Sequence, residues 1–263
     1  METTRSADGT QIAFEREGEG PVAIIVGGAL NDRNSSLELA RRLAERFTAV
    51  RYDRRGRGDS GDTPPYAVER EVEDLDAVIA AVGGSASAIG HSSGAALILE
   101  SAKRGSSLSK LALYEPPYIV DDTRPALPAD YVAHLDELVA SGDRGGAVMY
   151  FMITGVGLPE SMVRGMPTMP MWPALEALAH TISYDGRVMG DRMSGGGFAE
   201  GEWSAVTQPA LVMDGGDSPD WARNACRALA DALPNAEYRT LDGQTHEVAP
   251  EVLAPELDRF FSG

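Results

Sequence analysis

The stretch ASAIGHSSGAALILESAKRG, residues 86–105, decides how the rest of the chain is read. A short apolar run ending at Ile89 meets Gly90-His91-Ser92-Ser93-Gly94, and a segment with helical apolar spacing follows at once, closed by Gly105. A chain that leaves a strand and enters a helix so abruptly can only do so past small neighbours, which gives the two glycines around Ser92 a steric reason. Such a turn lifts the serine hydroxyl off the C-terminal edge of a sheet. The G-x-S-x-G pattern alone decides little, since 29 Gly and 19 Ser in 263 residues produce it by chance about 0.2 times per chain. The surrounding sequence has to decide.

That surrounding sequence alternates. Asp8-Gly9 between two extended runs reads as a hairpin turn. Residues 22–26 are a continuous apolar run of the kind buried on both faces in a parallel sheet. Residues 36–46 have helical spacing, 48–52 read as strand, and 68–82 form an amphipathic helix with Val72, Leu75, Val78 and Ile79 on one stripe. Strands are expected at 111–114, 210–213 and 236–241, with helices at 220–233 and 251–261. The alternation implies right-handed crossovers and an α/β fold, a mostly parallel, doubly wound sheet. Residues 118–205 interrupt it with helical stretches and no buried strand, and eight of the ten methionines fall between Met149 and Met193. The expected organisation is a core from residues 1–117 and 206–263 with a helical cap at 118–205.

Composition narrows the function classes. The chain suits one large α/β domain. A net charge of −17 disfavours nucleic acid and anionic membranes as partners. One cysteine, Cys226 in a helical stretch, leaves no disulfide framework and fits a reducing compartment. With no basic, apolar leader and no run of 18 apolar residues, a cytoplasmic location is expected. No His or Cys cluster has metal-ligand spacing, so neither metal nor cofactor is expected, and Gly27-Gly28 lacks the lysine and glycines of a phosphate cradle.

From about residue 10 onward the chain resembles the α/β-hydrolase superfamily. Residues 86–105 match its serine turn, 22–30 its third strand and oxyanion loop, 52–60 its loop after the fourth strand, 209–219 its seventh strand, and Asp242-Gly243-Gln244-Thr245-His246 its late histidine loop. The resemblance implies that Ser92 is the nucleophile, that His246 is its base, and that the amides of Ala29 and Ser93 hold an oxyanion. It also implies that Asp53, Arg55, Gly56, Arg57, Gly58 and Ser60 are scaffold, despite their catalytic composition. Where the family usually has His-Gly, this chain has Gly27-Gly28.

The acid departs from the usual pattern. The family usually places Asp after its seventh strand, and registration puts Ser218 there, with Asp217 one residue early, Asp220 two late and Asp214 still in the strand. Glu115 ends the sixth strand, where some branches carry their carboxylate, so Glu115 is the expected triad acid and Asp217 the alternative. His91, inside the serine turn, and Met149, Met152, Met169, Met171 and Trp172 of the insertion are candidate substrate contacts, the insertion being expected to act as a movable apolar lid. For any one methionine, packing of the insertion onto the core is the alternative. His134 and His180 read as structural.

The function expected is that of a cofactor-independent serine hydrolase taking a small to medium apolar ester or lactone, as monomer or homodimer. Two alternatives belong to other classes: a non-hydrolytic enzyme of the same fold (lyase, C–C hydrolase or cyclase), and a slow-turnover ligand-binding protein. One fold hosts many chemistries.

Overall fold

The computed structural model describes residues 1–263. Eight strands form one sheet: β1 (Glu2–Arg5), β2 (Gln11–Glu17), β3 (Val22–Val26), β4 (Thr48–Tyr52), β5 (Ala86–His91), β6 (Leu108–Tyr114), β7 (Ala210–Gly215) and β8 (Ala236–Leu241). Their spatial order is β1-β2-β4-β3-β5-β6-β7-β8, antiparallel from β1 to β4 and parallel from there on. The chain turns back at β3, which lies between β4 and β5, and in open α/β sheets that switch point opens a crevice beyond the strand ends.

Period-two alternation sends each strand's side chains to both faces. Ile24, Val26, Val50, Ala88, Leu111, Leu113 and Val212 join one core with helices α2 (Val68–Ala81), α3 (Ser93–Lys103) and α9 (Asp220–Ala232). Ala23, Ile25, Ala49, Ile89, Ala112, Tyr114 and Met213 join the other with α1 (Leu37–Leu43) and α10 (Pro250–Ser262). Helices on both faces are why the strands read as unbroken apolar runs and not as alternating ones. The stripe Val72, Leu75, Val78 and Ile79 of α2 is buried, and so are Glu71 and Asp74 of the same helix, each bonded to a buried arginine, Arg54 and Arg55. Cys226 is a core residue whose Sγ donates to the Met213 carbonyl oxygen.

Between β6 and β7 run only helices: α4 (Tyr131–Ala140), α5 (Arg144–Tyr150), a π-helical turn (Phe151–Val156), α6 (Glu160–Val163), α7 (Trp172–Leu178) and α8 (Ile182–Met189). They close a small core of their own from Tyr131, Leu135, Ala147, Val148, Trp172, Ala179 and Ile182, against which Leu30 packs from the core domain. No helix is long and apolar enough to cross a membrane.

Candidate active site

Ser92 stands between β5 and α3 with φ +56° and ψ −126°, a region that an L-residue enters at a cost of about 1–3 kcal/mol. The neighbouring glycines hold it there. A Cβ on Gly90 would lie 2.5 Å from the Ala95 backbone, and one on Gly94 would lie 2.2 Å from the Val26 carbonyl oxygen. A Cβ on Gly28 would meet the Ser92 Cβ at 2.9 Å, so the loop after β3 passes directly beside the serine. This close approach accounts for Gly at position 28, while a Cβ on Gly27 would press on the Asn31 side chain at 3.3 Å. The amides of Ala29 and Ser93 make no hydrogen bond within the chain, as the first turn of a helix leaves Ser93 N–H free.

Glu115 is the residue after β6 and also has positive φ, +43°. The Ser92 amide donates to the Tyr114 carbonyl oxygen at 2.9 Å, which places the serine turn alongside this strand end. Glu115 is 1 % exposed; its Oε2 lies 2.7 Å from His246 Nδ1, and its Oε1 accepts from the Gly215 amide at 2.8 Å. Burial opposes the carboxylate's charge, but the bonds from His246 and the Gly215 amide outweigh it and keep the carboxyl below its ordinary range. With Nδ1 facing a carboxylate, the His246 ring carries its proton there and presents Nε2 as the basic nitrogen. The Ser92 hydroxyl makes no hydrogen bond to that nitrogen here, and such bonds commonly tighten only around substrate.

The loop carrying His246 is pinned at three consecutive carbonyls. Asp217 N–H donates to Gln244 O at 2.8 Å, Tyr114 Oη to Thr245 O at 2.6 Å, and His91 Nε2 to His246 O at 2.8 Å. His91 therefore bears its proton on Nε2, with its ring centroid 4.7 Å from that of His246. Burial first, then the neighbouring His246, lowers its pKa to about 4, so it stays neutral at physiological pH. Asp217 is exposed and only its backbone touches the histidine loop, whereas Ser218 is buried and faces Glu115.

The other expected residues are dispersed. Trp172, 6 % exposed, sits inside the insertion's own core, which makes it a packing residue of that layer. Met149 and Met152 are half-buried against the same cluster, and Met169 and Met171 stand out at 47 % and 55 % exposure. His134 is half-buried near Glu137, with its ring edge-on to Tyr150, and His180 lies near Gly56. In the loop after β4, Asp53 accepts from the Arg33 and Asp59 amides at 2.7 and 2.9 Å, and a Cβ on Gly58 would lie 2.2 Å from its carboxylate. That loop is held by internal bonds. No three His, Cys, Asp or Glu side chains are grouped as a metal ion would require.

Sequence reasoning missed Asp185. It stands on α8 of the insertion, 4 % exposed, and accepts from Arg54 Nη1 at 2.7 Å, Arg57 Nη2 at 2.8 and 2.9 Å, and Ser93 Oγ at 2.6 Å. Arg57, expected from sequence only as loop scaffold, and Arg54 of the same loop thereby tie the insertion to the serine turn. The part of the expected lid that carries α8 is fastened to the core by buried ion pairs.

Comparison with known proteins agrees with this architecture. An alpha/beta hydrolase from Sphaerobacter thermophilus is 55% identical, with a TM-score of 0.92 over 99% of this chain and 100% of that one. The enol-lactonase from Burkholderia xenovorans shares the fold at 18% identity, with a TM-score of 0.72 over 99% of this chain and 100% of that one. A stretch of 101 residues is 32% identical to the uncharacterized hydrolase YraK of Bacillus subtilis, a match that spans only 37% of each chain. Residues 24–256 match the sequence profile of the Alpha/beta hydrolase family, and the chain belongs to that family.

Proposed function

We propose that this protein is a cofactor-independent serine hydrolase that cleaves a small to medium, largely apolar ester or lactone. The observation that carries the reading is the 2.7 Å contact between Glu115 and His246 Nδ1 beside a serine held at φ +56°. Ser92 Oγ attacks the substrate carbonyl while His246 Nε2 takes its proton. The Ala29 and Ser93 amides receive the negative charge that develops on the carbonyl oxygen, and the Glu115 carboxylate stabilises the imidazolium. His246 returns the proton to the departing alkoxide, then activates water to release the acyl group from Ser92. For a lactone the leaving alkoxide remains tethered to the acyl chain. Leu30, Met149 and Met152, half-buried against the insertion's core, are the apolar side chains proposed to meet that chain. The acid-rich surface suits a small-molecule substrate and repels nucleic acid.

Labelling with a fluorophosphonate probe tests this reading. Wild type takes up one label, mapped to Ser92, while Ser92→Ala takes up none and loses about 10⁴–10⁶-fold in kcat on short esters. A Ser92→Ala preparation that keeps a tenth of the activity removes the proposal.

A further inference from the structure

The two amides assigned to the oxyanion hole belong to segments far apart in sequence, yet a single carboxylate from the insertion reaches both. In a trans peptide the C=O of one residue and the N–H of the next point in opposite directions from one plane. Arg57 Nη1 donates to the Gly28 carbonyl oxygen at 2.5 Å, which turns the Ala29 N–H of that same plane away from Arg57. Arg57 is held by Asp185, through Nη2 at 2.8 and 2.9 Å. Ser93, owner of the second amide, donates its Oγ to Asp185 Oδ1 at 2.6 Å. Arg54 completes the cluster: Nη1 reaches Asp185 at 2.7 Å, Ser93 Oγ at 3.2 Å and the Gly27 carbonyl oxygen at 3.3 Å, while Nε and Nη2 grip Glu71. Arg54, Arg57, Glu71, Ser93 and Asp185 are all buried, and their two positive and two negative charges balance.

We propose that Asp185 is a positioning residue for catalysis: donated by α8, it fixes through Arg57 and Ser93 the two peptide planes that form the oxyanion hole. The insertion is then part of the transition-state machinery and not only a cover over the pocket. Charge-assisted bonds among buried groups suit this task, because they are short, directional and shielded from water. Without Asp185 two guanidinium groups face one carboxylate, and the Gly28 plane loses the anchor behind Arg57. The inference rests on the hydrolase reading above.

The test compares Asp185→Asn and Ser93→Ala with wild type, using a short p-nitrophenyl ester, a trifluoromethyl ketone that traps the tetrahedral oxyanion, and its unfluorinated methyl ketone counterpart. In Asp185→Asn, kcat and trifluoromethyl ketone affinity fall together by about 10- to 1000-fold, approaching the loss of one oxyanion donor, with KM and methyl ketone affinity little changed. Ser93→Ala leaves the charges balanced and shows the same split on a smaller scale, about two- to tenfold. Should Asp185→Asn fail to fold, Ser93→Ala carries the test alone. Variants that keep wild-type trifluoromethyl ketone affinity overturn the proposal, and so does a parallel loss for both ketones, which marks a merely structural role. A wild-type protein that neither hydrolyses esters nor binds the trifluoromethyl ketone fails earlier and overturns the hydrolase reading itself.

Discussion

Two buried carboxylates flank the serine turn, and they face different kinds of partner. Glu115 comes from a strand end of the sheet and meets a histidine; Asp185 comes from the helical insertion and meets two arginines. Burial works against both charges, and in both cases the partners outweigh it: His246 and the Gly215 amide for Glu115, Arg57 and Arg54 for Asp185. A carboxylate beside a titratable ring is suited to a proton that comes and goes during turnover. One beside permanent cations supplies fixed charge and fixed geometry. On the mechanism proposed above, the sheet side handles the moving proton and the insertion side is the frame.

Substitutions on each side sharpen this contrast. The larger effect is expected on the sheet side. Glu115→Gln keeps the shape of the side chain but removes the charge that stabilises imidazolium, and kcat for short esters falls about 10³–10⁴-fold. Asp217→Asn changes an exposed side chain and leaves kcat within about twofold. Steady-state kinetics on the pair decides it, and the reverse ranking breaks the assignment of the acid. Asp185→Asn belongs between these extremes, as the ketone experiment measures.

The smallest effect concerns stability. His91 has its pKa lowered to about 4 from an ordinary 6.5, so between those values an unfolded chain binds a proton that the folded chain refuses. Stability contributed by neutral His91 is complete above pH 6.5 and is lost as the pH falls toward 4, with a slope of at most about 1.4 kcal/mol per pH unit. His91→Gln retains an N–H donor toward the His246 carbonyl and cannot titrate. Urea unfolding between pH 4 and 6.5 is expected to show a shallower loss for this variant, and an unchanged slope contradicts the account of His91.

Much of the sheet side was legible in the sequence because strand ends obey short-range rules. Ser92 needs small neighbours, Glu115 is fixed by the Pro-Pro that follows a buried strand, and His246 follows a strand and a glycine. Strand boundaries drifted where burial stops at the rim of the sheet: β6 begins at Leu108 and not at 111 because Ser109 and Lys110 are polar residues of a strand still paired to β5. The insertion side was not legible. Nothing in ISYDGRVM tells which side of α8 points inward, and the partners of Asp185 lie 128 and 131 residues away at Arg57 and Arg54. Methionines cluster around Trp172 in the sequence, and that pattern alone points to a pocket residue. Trp172 fills the insertion's own small core instead, a packing need that composition does not reveal. The place of His91 in the turn suggests a substrate contact, but its ring is engaged with the backbone of the histidine loop.

One measurement reaches both sides of the site at once: a crystal structure of the protein with Ser92 phosphonylated by a fluorophosphonate. The adduct carries a tetrahedral oxygen where the transition-state oxyanion forms. The account predicts that oxygen about 2.7–3.1 Å from both the Ala29 and the Ser93 backbone nitrogens, with Glu115 still bonded to His246 Nδ1 and Asp185 still bonded to Arg57 and Ser93. A phosphonyl oxygen bonded elsewhere, or a label on a residue other than Ser92, contradicts it.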